Sequence, residues 1–186
     1  MKTVRKKQNN LVFKLALASL KGKVLKVGWV AEKFYPPRKR ITKENGKTKV
    51  TLVPSNFTTA SVGNIAEFGS VKNNIPARPI MAPTNAEQKS LWSKISESQV
   101  RKIFKGEQTV DGALEVLGLR IGGDYRKKIK SITEPPLAEA TVKARIRTRN
   151  QGRKNKITEA TSTFRKPLVF DGILLNSVTH AVEGDT

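Results

Sequence analysis

The chain has 186 residues, 36 Lys/Arg against 15 Asp/Glu, and a formal net charge of +21. It carries no cysteine and one histidine, His180, which excludes disulfides, iron–sulfur clusters, thiol nucleophiles, Cys-containing zinc sites and paired-His metal sites. With 37% hydrophobic residues and no long Gly/Ser or Pro-rich linker, the sequence is expected to form a single domain, 1–186, with a modest core.

The first ten residues are basic, and the apolar run after them is broken by Lys14, so neither a signal peptide nor a membrane span is expected. Residues 11–20, LVFKLALASL, read as a short amphipathic helix with Leu11, Leu15 and Ala18 on one face and Gly22 at its C-cap. Residues 23–30 read as a strand with Leu25, Val27 and Trp29 on one face, and Gly28 marks a bulge or a close backbone approach. Residues 38–53 flank Asn45-Gly46, a pair that accepts positive φ at both central positions of a type I′ turn; a β-hairpin is expected, with Pro54 closing it. Its Lys43, Lys47 and Lys49 either keep the strand edges from pairing or contact phosphate or an acidic partner.

Residues 60–68 fit a two-turn helix with Val62, Ile65 and Ala66 inward and Gly69 at its C-cap. A connector with Pro76, Pro79 and Pro83 follows, held extended because proline fixes its own φ and restricts the preceding residue. Thr84 and Glu87 have the spacing of a capping box at the start of a helix that continues through Leu91, Trp92, Ile95, Ile103 and Phe104 to Gly106. Val110, Leu114, Leu117, Ile121, Tyr125, Ile129 and Ile132 recur at steps of three and four, the stripe of one long helix. Gly118 and Gly122 on it suggest a close helix–helix contact. Pro135-Pro136 ends this helix, and 137–149 suit a short helix or, because Arg145, Arg147 and Arg149 alternate, an extended arm. Residues 151–163 hold few apolar residues, so 134–166 as a whole is expected to be a polar arm. Asp171 caps a helical turn at 172–175, and 177–183 read as a last strand.

Charge is uneven. Residues 1–50 hold 15 Lys/Arg and two acids, and residues 143–166 hold nine and one. A polyanionic neighbour is implied, nucleic acid or an acidic protein face, with Arg145, Arg147, Arg149, Arg153 and Lys154 as contacts beside the hairpin lysines. Gly46-Lys47-Thr48 is not a phosphate loop, because Ile41 stands where the first glycine belongs and a strand follows. His180 on an alternating strand reads as structural, and the acids lack the spacing of a metal site. No catalytic, metal or cofactor constellation emerges, so the protein is not expected to be an enzyme.

Three segments in order resemble the small neck and tail-completion proteins of tailed bacteriophages, of the tail-component or virion-morphogenesis type. They are KVGWV at 26–30, IAEFGS at 65–70 followed by IPARPIMAP at 75–83, and KPLVFDGILLNSV at 166–178. Pro136-Leu137 and Thr141 suit the segment before that ending. Ile80 stands where the family usually has Phe, Asp171 where Thr is usual, and the basic hairpin is enlarged.

The resemblance implies an α+β protomer, a small antiparallel sheet packed against two longer helices, with the hairpin and the arm as excursions. It implies a homo-oligomeric ring of six around the DNA channel in the virion neck, assembled in the host cytoplasm. Its partners there would be neighbouring neck proteins, a portal-side adaptor and the tail tube or terminator, with no cofactor and no membrane. Arg78, aimed by the stiff connector of Pro76 and Pro79, is then expected to clamp a carboxylate or backbone carbonyls. The competing reading from composition is a basic RNA- or DNA-binding protein of ribosomal type.

Overall fold

The structure is a computed structural model describing Ala18 and residues 21–30, 33–44, 47–53, 55–150 and 155–184. The fold is α+β. Its elements are β1 (Val24–Gly28), β2 (Arg38–Glu44), β3 (Lys47–Val53), α1 (Thr59–Phe68), α2 (Met81–Lys105), α3 (Val110–Ser131), α4 (Glu139–Asn150), α5 (Ser162–Arg165), α6 (Ile173–Asn176) and β4 (Thr179–Glu183). The chain divides into two compact units, each discontinuous in sequence. The first draws on Met1–Val30, Ile80–Lys128 and Val178–Thr186, the second on Ala31–Pro79 and Ile129–Ser177.

In the first unit β1 pairs with β4 antiparallel, Val24 opposite Glu183 through Gly28 opposite Thr179. The sheet packs against the two long helices. Gly28 has φ +143°, and a Cβ there would lie 2.9 Å from the terminal methyl of Met81 on α2, so this is the close approach that glycine permits. Gly118 on α3 faces the His180 ring of β4, 2.6 Å from where its Cβ would be. Gly122 lies near Val178 and Val27. The two glycines therefore admit side chains of the β1 and β4 segments rather than another helix, which corrects the helix–helix expectation. Between α2 and α3, the Trp92 indole donates to Asp124 (2.8 Å) and stacks edge-on with Tyr125, whose hydroxyl donates to Asn85 (2.7 Å). The Ala18 carbonyl accepts from the Lys21 N–H, and Gly22 follows at φ +80°. The rest of the expected helix over 11–20 lies outside the described residues.

The capping box is not formed. Helix α2 starts a turn earlier, after Ile80, and Thr84 is buried inside it, its hydroxyl donating to the Ile80 carbonyl (2.6 Å). Pro83 is tolerated there because the first-turn N–H groups have no intrahelical acceptor to lose. Glu87 instead accepts from Lys128 of α3 (2.7 Å). The other end of α2 follows expectation, with Gly106 left-handed at the C-cap.

In the second unit β2 and β3 form the hairpin, and Glu44 opposite Lys47 leaves two residues between them; Asn45-Gly46 themselves lie outside the described residues, as does Pro54. Helix α1 is capped by Thr58, whose hydroxyl oxygen accepts from the Ser61 N–H, and ends at Gly69 with φ +76°. A Cβ at Gly69 would meet the Ile75 carbonyl at 2.8 Å and the Ala77 nitrogen at 2.9 Å, so the chain turns back on itself there only because the side chain is missing. Helix α1 touches α6, whose start is fixed by Asp171 accepting from the Ile173 N–H (3.1 Å). Of the two alternatives for 137–149 the helix forms, as α4, and with α5 it makes the segment expected as an extended arm over 134–166 partly helical. Val142, 2% exposed, and Arg145 hold α4 down.

Candidate functional site

The candidate site lies in the second unit, around two arginines that bind carbonyls. Arg78 is 6% exposed. Its backbone N–H donates to Ala66 of α1 (2.6 Å). Its side chain donates through Nε to the Pro135 carbonyl (2.8 Å), through Nη2 to Pro136 (3.1 Å), and through Nη1 to Pro76 at the limit of a hydrogen bond (3.5 Å). Between the two alternatives expected for Arg78, the partners are carbonyls. Proline carbonyls suit this task, because a prolyl residue keeps its acceptor while lacking an N–H of its own. Burial lowers the pKa of Arg78, but a guanidinium stays charged at neutral pH.

Arg145 repeats the arrangement one helix away. Nη1 donates to the Phe164 (2.9 Å) and Lys166 (2.6 Å) carbonyls and Nη2 to that of Pro167 (2.8 Å), while the guanidinium lies 4.9 Å from the centre of the Phe170 ring. Burial lowers its pKa; Asp171 pulls it up and Arg78 pushes it down. Arg145 is thus committed inward and is not one of the exposed contacts expected of it. Arg147 and Arg149 are exposed. Arg153 and Lys154 lie outside the described residues. The hairpin register sets Lys47 and Lys49 at alternating positions with Arg38 and Arg40, and Lys43 in the opposite set.

Beside Arg78 runs a groove of about 980 Å³, lined by Val62 and Ile65 of α1, the 68–75 turn, Leu137 and Leu168. Phe68 and Val71 on this turn are 77% and 101% exposed. Pro76 and Pro79 are exposed and keep the connector extended beneath them. The groove is mainly apolar, and among its described lining residues Arg78 alone is charged.

Sequence reasoning missed three participants. Tyr35 is pushed up to about 12, mostly by burial and secondarily by Asp171. Phe170 lies under Arg145. The Asn150 amide donates to the Ile157 carbonyl and accepts from its N–H (2.8 Å each), closing the chain between them. No local pattern signals the first two, but an Asn ending a basic helix before a polar stretch is a recognisable loop-closing residue. In the first unit His180 contacts Glu115 (2.8 Å). Among the described residues no group of three or more His, Cys, Asp or Glu could hold a metal ion, and no helix is long and apolar enough to cross a membrane.

The chain matches no protein-family model, no curated protein and no solved structure.

Proposed function

We propose that the protein is a structural subunit of the tailed-bacteriophage neck, a tail-completion or connector protein. In this reading its copies form a ring, six being the expected number, that joins the portal side of the head to the tail and surrounds the DNA channel. Its task is mechanical rather than catalytic, performed in the virion after assembly in the host cytoplasm.

One observation carries the reading. Two of the three segments that resemble neck proteins, separated by about a hundred residues, meet in one unit. The IAEFGS segment bonds Arg78 through Ala66 and contacts α6 of the KPLVFDGILLNSV segment, and Arg78 locks Pro135-Pro136. The result is a stiff framework presenting exposed Phe68 and Val71 beside a groove, which suits a subunit contact.

The test is electron microscopy of virions made without the protein, beside negative-stain images of the purified chain. Unjoined heads and tails, and rings of the purified protein, are the expected results. Normally joined virions overturn the reading. A uniformly monomeric protein that binds structured RNA would favour the ribosomal-type alternative, for which the net charge of +21 speaks.

A further inference from the structure

Helix α4 carries charge that its own packing does not use. From Lys143 to Lys156 the sequence has seven Lys/Arg and no acid. Arg145 is spent on three carbonyls. Lys143 and Arg147, one turn apart on the face shared with Ala140 and Ala144, are exposed, as is Arg149, and none of the three is in an ion pair among the described residues. The one acid of α4, Glu139, is held by Arg165 (2.8 Å).

The ordinary explanation of such residues is the helix dipole. It covers Arg147 and Arg149 in the last turn but not Lys143, which lies outside both terminal turns. Lys143 and Arg147 also repel each other at this spacing. The exposed face is therefore unfavourable to the isolated fold and becomes favourable against a polyanion.

The chemistry of the face chooses between polyanions. A protein interface needs an apolar centre, and this face offers only Ala140 and Ala144. A twelve-residue helix is ~18 Å long, over which each strand of a DNA duplex presents roughly five phosphates. The neutral polar groups in the last turn of α4 that could hydrogen-bond base edges are already occupied. Both ends of the Asn150 amide bond Ile157, and the Thr148 hydroxyl donates to the Ala144 carbonyl (3.0 Å). We infer that Lys143 and Arg147 dock on the phosphate backbone of duplex DNA without reading its sequence. This rests on the neck reading above, in which DNA passes the ring, and names the surface that meets it.

The experiment is fluorescence anisotropy of the full chain with labelled 20-base-pair duplexes of two unrelated sequences, across a sodium chloride series. The parent should bind both duplexes equally, with affinity falling as salt rises. Lys143→Gln/Arg147→Gln should flatten the slope of log affinity against log salt by about 2, at ~0.9 for each phosphate no longer neutralised, and Arg147→Gln alone by about 1. Circular dichroism confirms that the variants fold. An unchanged slope in the folded variants, no DNA binding by the parent, a tenfold preference between the duplexes, or equal competition by polyglutamate at matched charge overturns the inference. The last outcome would assign the face to an acidic protein. Any of these leaves the neck reading standing, because unjoined virions and rings are scored without reference to DNA affinity.

Discussion

The two units are held together by different chemistry. In the first, two long helices and a two-stranded sheet meet through close side-chain packing, with Gly28 and Gly118 admitting Met81 and His180 and a Trp92–Tyr125 pair between helices. In the second, short elements without a long apolar stripe are tied by guanidinium groups reaching backbone carbonyls up to 58 residues away. The first arrangement depends on volume and the second on the fork of the donor. Lysine can replace charge but not a fork, so the two units should respond differently to conservative substitution.

Arg145 should give the largest effect. Arg145→Ala removes three charge-assisted bonds and the contact with Phe170, and should lower stability by ~3 kcal/mol. That corresponds to a fall of roughly 6–12 °C in Tm for a chain of this size. Arg145→Lys should recover less than half. Thermal denaturation followed by circular dichroism checks both, and a Tm unchanged in Arg145→Ala would mean that the second unit does not rely on this clamp.

Arg78→Ala comes next, with an expected loss of ~2 kcal/mol from two well-formed bonds, and Arg78→Lys should fall between it and the parent. If lysine matches arginine in chemical denaturation, charge alone suffices and the contrast between the units disappears.

The first unit should instead be sensitive to added volume. Gly118→Ala drives a methyl into the His180 ring and should cost about 1–2 kcal/mol after the gain in helix propensity. His180→Ala in the same chain should relieve most of this, giving a non-additive double-mutant cycle. Additive effects would show that the ring is not what fills the space.

At neutral pH the smallest effect is that of Tyr35, which appears only in alkali. Tyr35 sits at about 12 in the folded protein against about 10 unfolded. Above the lower value the unfolded chain binds fewer protons, so stability falls as pH rises from about 10 to about 12. Tyr35→Phe should shallow this decline in a pH series of denaturation curves; an identical slope removes Tyr35 as its source.

The contrast between units also explains what the sequence could disclose. α3 was legible because its inward residues recur at steps of three and four, and the hairpin because Asn45-Gly46 separates two runs suited to strands. α4 was ambiguous because a half-buried arginine does part of the work that an apolar stripe usually does, leaving Val142 as the only fully buried residue of the helix. Thr84 and Glu87 had the right spacing for a capping box, yet that spacing also fits positions inside a helix, and Pro83 in the first turn hid the earlier start. For Arg78, backbone stiffness pointed to a clamp, but Pro135 and Pro136 are 57 and 58 residues away and only the fold pairs them with it.

The closure made by Asn150 and Ile157 has an engineering consequence. Because the two residues bond each other directly, positions 150 and 157 are held together at a single stapled point. The entropy of closing a loop grows only logarithmically with its length, so the six positions between them should accept a graft of about a dozen residues with little loss of stability. An epitope or a fluorophore-binding tag inserted there would report on the folded protein while leaving both arginine clamps untouched.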